Sequence, residues 1–324
     1  MIYLHDRDIV EIGIDWPRLI EIIENVVKIK AEGDCVHPLK PYLRFRDPGN
    51  RIIAMPAFVG GSINMAGIKW IASYPDNIRL GLPRAHNTMI LNDPATGEPA
   101  AFIHSGLLSA LRTAAVSGSM IKAFTSSRPS NQLRLGIIGW GPVGRNHLEM
   151  CIALLGDKLK RISLYDLMPI DLDTVPEAVR ARTAIADDWR QVYQDADIFI
   201  TCTVSNHRYI DEPPGKGALL LNVSLRDYKP ESAAHLQAIV VDDWQEVCRE
   251  NTDMEQLHLQ YGLQESGVIT LEDVICHDGL AALSKEEPVF FNPMGLAVFD
   301  IGIAALYLQE ALRSGKGILL GNDA

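Results

Sequence analysis

The chain has 324 residues, 47% hydrophobic and 22% charged, with 30 Lys and Arg against 41 Asp and Glu and a formal net charge of −11. That length and apolar content suit two domains with cores of their own, whereas the acidic balance argues against nucleic acid or an anionic membrane as partner. No apolar run approaches the ~20 residues of a membrane span, and an N-terminus bearing Asp6, Asp8 and Glu11 lacks the signal-peptide pattern. Cys35, Cys151, Cys202, Cys248 and Cys276 are scattered without a CxxC pair, which fits a reducing, cytoplasmic setting. The adjacent Cys276, His277 and Asp278 have no second cluster to complete a metal site, so no metal is expected.

Residues 15–32 have helical periodicity, with Leu19, Ile22, Ile23, Val26, Val27 and Ile29 on an apolar face, Asp15 as cap and Pro17 in the first turn. Extended segments follow at 41–47, 51–59, 65–74 and 86–93, separated by turns such as DPGN and DPATGEP, and predict a mostly antiparallel sheet. Ser105 then caps a helix rich in small residues, and 125–132, TSSRPSNQ, has the composition of a linker. The expected division is therefore 1–124 together with 303–324, and 125–302.

The second part opens on QLRLGIIGWGPVG. A short apolar strand, 133–138, runs into Gly139, Gly141 and Gly144 in the GxGxxG register, with Pro142 where a helix would begin. A second strand candidate, RISLYD, ends in Asp166, 22 residues beyond Gly144, near the spacing of about 20 at which a carboxylate takes the adenosine ribose hydroxyls. Leu167 and Met168 offer no cation for a 2′-phosphate, so NAD is favoured over NADP. Strand candidates at 197–202, 218–224 and 238–243 alternate with helices, as in a doubly wound parallel sheet of the Rossmann α/β class. Thr203, Asn222, Val223, Ser224 and Asp227 then fall at carboxyl ends of strands, where such sheets bind ligands. A last apolar helix, 293–312, returns toward the first domain and makes the chain ends neighbours.

Three cations interrupt otherwise apolar segments: Arg44 in YLRFR, Lys69 in GIKWI and Arg112 in SALRTAA. Burying any of them without an anion costs several kcal/mol. A substrate carboxylate would serve; so would an internal Asp or Glu, and for any one residue alone the internal pair is the simpler reading. Asp227 follows a strand that should end beside a nicotinamide, where a carboxylate could accept a proton or orient water; pairing with Arg226 or Lys229 is the structural alternative. Asp300, inside AVFDIGI, reads as a buried acid with a partner. His86, His104 and His207 are isolated.

The runs GIKWIASYPDNIRLGLPRAHNTMILNDPATGEP, SALRTAAVSG, GIIGWGPVGRNHL, LNVSLRDYKP and FFNPMGLAVFD resemble, in this order, the ornithine cyclodeaminase and μ-crystallin family. The resemblance implies a Rossmann domain that binds NAD(P) and a discontinuous α+β domain that binds substrate and forms a homodimer. It further implies that Arg44, Lys69 and Arg112 hold the substrate carboxylate and that Asp227, with Lys69, is catalytic. Arg112, Thr113, Gly139, Trp140, Gly141, Pro142, Val143, Gly144, Asp166, Thr203, Asn222, Val223, Ser224, Leu225 and Asn292 would meet the cofactor. Cyclodeaminases carry a glycine-rich stretch before the aspartate, PGK after it, and a glutamate where Pro56 stands here, so SLRDYKP argues against ammonia-releasing cyclisation. SLRDY and FFNPMGLAVFD instead resemble the diaminopropionate-forming branch of siderophore (staphyloferrin B) and antibiotic pathways. Its dehydrogenases convert N-(2-amino-2-carboxyethyl)-L-glutamate to 2-oxoglutarate and L-2,3-diaminopropionate. For that small molecule with three carboxylates, Arg79, Arg84 and His86 are further candidate contacts.

Overall fold

The computed structural model describes residues 1–321, which divide into two compact units, Met1–Arg112 with the segment from Leu296 onward, and Thr113–Gly295. The boundaries expected at 124/125 and 302/303 move to 112/113 and 295/296. Asp300 causes one shift, since its partners Lys69 and Arg112 lie in the first unit. Ser117, in the stretch after Thr113, bonds to His147 within the second unit.

In the first unit, strands lie in the order Ile318–Leu319, Ile2–His5, Pro99–His104, Ala85–Asn92, Met65–Ser73, Asp47–Val59 and Cys35–Val36, with Tyr42–Phe45 also on Asp47–Val59. All neighbours are antiparallel except Ile2–His5 with Pro99–His104. The ends of the chain meet as expected, Ile2 opposite Leu319. Helix Trp16–Ala31 starts where its sequence asks, with the Asp15 side chain accepting from the Arg18 amide; it buries Leu19, Ile20, Ile23, Val26, Val27 and Ile29, while Ile22 is half-buried. Helix Ala297–Ser314 packs on the sheet and on Trp16–Ala31, ending at Gly315 in the left-handed conformation. Its Val298, Phe299, Ile301 and Ile303 are almost wholly excluded from water, each contributing about 1.5–3 kcal/mol of burial. Asp300 is a fully buried carboxylate among these apolar side chains.

The second unit is an all-parallel sheet in the order Thr183–Ile185, Leu159–Tyr165, Leu133–Ile138, Ile198–Thr201, Leu219–Asn222, Val289–Asn292, Ala238–Val241 and Ile269–Thr270. Strand order reverses between Leu133–Ile138 and its neighbour Ile198–Thr201, the switch point where a doubly wound sheet leaves a crevice. The expected linker at 125–132 is in part helix: Gly106–Ser127 is continuous. Hydroxyls of Thr125, Ser126 and Ser127 bond back to carbonyls of the preceding turn, and Arg128 is fixed to the Glu287 carbonyl at 2.7 Å. Among the described residues no helix is long and apolar enough to cross a membrane.

Candidate active site

At the switch point the chain turns through Gly139 at φ 95°. A side chain there would collide with the carbonyl of Cys202, and one on Gly144 with the carbonyl of Gly139. Gly141 differs, since a Cβ on it would meet nothing within 4 Å. It caps helix Pro142–Leu155, so the helix start is left uncovered at this position with the helix dipole behind it, a cradle suited to a pyrophosphate. Asp166 stands at the end of the adjacent strand. Its Oδ2 accepts from the Trp140 amide at 2.6 Å and its Oδ1 from the Met168 amide at 2.8 Å. Each oxygen keeps a lone pair for a ribose hydroxyl. Leu167 and Met168 are 88% and 72% exposed and bring no cation. The loop, the helix start and the acid can together hold NAD.

Asp227 lies in the same unit, fully buried. Its Oδ1 accepts from Thr203 Oγ1 at 2.5 Å, and among the described residues its Oδ2 has no hydrogen-bond partner. Burial pushes its carboxyl above the ordinary value, against the hydroxyls of Ser224, Thr203 and Thr201 and the Arg226 cation. A buried carboxylate oxygen left unpaired is costly, and a raised basicity with one open acceptor is what a proton-transfer group requires. Of the two cations set against this role, Lys229 pairs with Asp211 at 2.8 Å and Arg226 donates to the Glu250 carbonyl.

In the first unit, Lys69 points from the middle of strand Met65–Ser73 to the buried side and is 1% exposed. Its Nζ donates to Ser109 Oγ at 2.7 Å and to Asp300 Oδ1 at 3.0 Å. Arg112 Nε donates to the same Oδ1 at 2.8 Å. The internal-acid reading therefore holds for two of the three cations. It is incomplete in charge: two cations share one carboxylate, so Lys69, Arg112 and Asp300 together carry one surplus positive charge while Lys69 is protonated. Burial pulls the Lys69 ammonium down to about 8; Asp300 opposes this, and Arg112 and Lys40 reinforce it. Asp300 would be raised by burial, but Arg112 and Lys69 hold it below the ordinary value. Such a surplus of buried positive charge suits an anionic group.

Residues 4–316 match the model of the ornithine cyclodeaminase/mu-crystallin family. The chain belongs to this family. Among family members it is 31% identical to the N-((2S)-2-amino-2-carboxyethyl)-L-glutamate dehydrogenase of Staphylococcus aureus over 99% of this chain and 98% of that one. It is 24% identical to a Delta(1)-pyrroline-2-carboxylate reductase of Bacillus cereus over 87% and 88%. The solved Thermococcus litoralis Delta(1)-pyrroline-2-carboxylate reductase, in complex with NADH and L-proline, shares the fold with a TM-score of 0.85 at 23% identity, covering 99% of this chain and all of that one.

The remaining family positions are more dispersed than the sequence suggests. Arg44 is exposed on the edge strand Tyr42–Phe45, its guanidinium 4.9 Å from the Tyr42 ring. His86 is exposed and Arg84 half-buried, while Arg79 is a surface residue beside Asp76. Asn222 and Asn292 are wholly buried and bonded to each other at 2.8 Å, so their side chains brace the loop floor. Trp140 buries its ring and donates Nε1 to Thr174, leaving its backbone to shape the glycine turn. Thr113, Val143 and Val223 are half-buried. Sequence reading missed Lys40, 4% exposed, because it stands in a proline-flanked loop with no periodicity. It also missed His147, buried beneath the fingerprint helix with Nδ1 on the Val143 carbonyl and Nε2 on Ser117 Oγ; burial pulls it down to about 4 and keeps it neutral.

Proposed function

We propose that the protein is an NAD-dependent oxidoreductase that acts on the CH–NH bond of a secondary amine, N-(2-amino-2-carboxyethyl)-L-glutamate, releasing 2-oxoglutarate and L-2,3-diaminopropionate. The observation that carries this reading is Asp227, a buried acid with one unpaired oxygen, in the unit that bears the dinucleotide cradle. The positive remainder at Lys69, Arg112 and Asp300 supports a substrate carboxylate, and the 31% identity to the staphylococcal dehydrogenase supports this amine. Gly139–Gly144 and Asp166 would hold NAD, which when bound accepts the hydride leaving the glutamate α-carbon. Asp227 first takes a proton from the substrate ammonium, freeing the nitrogen lone pair to form C=N as the hydride departs. Once Asp227 has released that proton to solvent, it takes a proton from the water that adds to this carbon and delivers it to nitrogen; as the C–N bond breaks it removes the remaining hydroxyl proton and passes it to the departing amine. Each turnover consumes one water and yields one keto acid, one primary ammonium, one NADH and one proton. A panel of this amine, ornithine, alanine and proline with NAD tests the reading: NADH and 2-oxoglutarate should appear with the first alone. Turnover of another member reassigns the substrate, and no turnover of any leaves a nucleotide-binding protein.

Two outcomes follow for the individual residues. Asp166→Ala should weaken NADH binding about tenfold, the loss of roughly one charge-assisted hydrogen bond pair, as read by fluorescence titration. The substrate KM should rise as pH passes through about 8, where Lys69 loses its proton, because the neutral amine no longer attracts the carboxylate. Lys69→Arg should move this limb beyond the measured range.

A homodimer is part of the same proposal. Ile68, Trp70 and Ile90 share the sheet face opposite Lys69, with Trp70 43% and Ile90 37% exposed, an apolar patch that a second copy would cover. Trp70→Glu should convert a dimer to a monomer in sedimentation.

A further inference from the structure

Asp227 stands on a loop whose conformation is imposed from elsewhere. Leu225, two residues before it, has φ 65°, a left-handed conformation that a branched side chain keeps only where neighbours over-determine it. Those neighbours converge on Asp253, in the first turn of helix Asp253–Tyr261 and 1% exposed. Its Oδ2 accepts from the amides of Asp227 and Tyr228, each at 3.1 Å, and from Asn222 Nδ2 at 2.9 Å. Its own amide donates to the Leu225 carbonyl at 2.8 Å. Arg208 Nε anchors the other oxygen at 2.6 Å and is itself fixed to the Asn251 carbonyl. The Asp253 side chain thus ties down residues 222, 227 and 228, and its backbone amide residue 225.

We propose that Asp253 is a positioning residue for Asp227: anchored by Arg208, it holds the 225–228 loop so that the unpaired Oδ2 of Asp227 reaches the reacting nitrogen. This rests on Asp227 being the acid-base group. An ordinary buried acid would support the fold alone; a positioning residue acts on the rate through Asp227. The test compares Asp253→Asn, Asp227→Asn and the double variant by amide hydrogen exchange and by NADH formation from N-(2-amino-2-carboxyethyl)-L-glutamate and NAD. In Asp253→Asn the amides of Asp227 and Tyr228 should exchange at least about tenfold faster. Its kcat should fall about 10- to 100-fold, with KM and NADH affinity within about twofold, and adding it to Asp227→Asn should change the residual rate less than about twofold.

Unchanged exchange overturns the proposal, and this arm needs no substrate. So does faster exchange with unchanged kcat, or an equal further loss in the Asp227→Asn background. Full turnover by Asp227→Asn alone instead removes the acid-base assignment beneath it. Should Asp253→Asn fail to fold, Arg208→Gln, which leaves Asp253 in place without its anchor, gives the same exchange readout.

Discussion

Asp227→Asn should lower kcat by about 10²–10⁴-fold, the range that general acid–base catalysis contributes, while leaving NADH affinity within about twofold. The amide has the shape of the carboxylate and can keep the bond from Thr203 Oγ1, so the buried loop should hold its form. What disappears is the proton acceptor. Asp227 Oδ2 is unpaired among the described residues and burial raises its basicity, which together suit it to the proposed proton transfer. Steady-state rates beside a fluorescence titration of NADH separate the outcomes. Loss of rate with intact binding fits the acid–base role, and parallel loss of both points to a collapsed loop.

Asp300→Ala should destabilise the protein by about 3–5 kcal/mol, the usual consequence of removing one partner from a buried ionic group. Lys69 and Arg112 would then face each other without an anion, both being nearly inaccessible to water. Lys69 can relieve part of this by losing its proton, which gives the substitution a pH signature. In the native protein its folded value of about 8 lies below the unfolded value of about 10.4. The unfolded chain therefore binds more protons in that window, and stability from this group rises with pH between the two values. Without Asp300 the folded value drops further and the rise begins at lower pH. Urea midpoints at pH 7 and 9 should differ more for Asp300→Ala than for the parent protein; equal differences would mean that Asp300 does not govern the Lys69 proton.

The dinucleotide cradle was legible in the sequence because its determinants are local. Glycine spacing, a proline at helix start and an acid at the next strand end each act within a few residues of themselves, and the chain places them as that spacing demands. The cation cluster was legible in its members and not in its pairing. Asp300 lies 231 residues from Lys69 and 188 from Arg112, a meeting that only the returning helix creates. Arg44 looked like Lys69 from its neighbours, yet an edge strand leaves it in solvent, and nothing local separates an edge strand from a central one. Asp253 read as an ordinary first-turn helix acid, since its hydrogen bonds come from a loop 25 to 31 residues away. The strand Val289–Asn292 is wholly buried at the heart of the sheet but too short for periodicity to distinguish it from a turn.

Hydride transfer from the substrate α-carbon is tested most directly with N-(2-amino-2-carboxyethyl)-L-glutamate deuterated at the glutamate α-position, mixed with NAD and the protein and followed by mass spectrometry. The expected result is reduced cofactor carrying one deuterium, in equal amount to 2-oxoglutarate and L-2,3-diaminopropionate. Deuterium retained on intact substrate with no reduced cofactor, or reduced cofactor without the label, would contradict it.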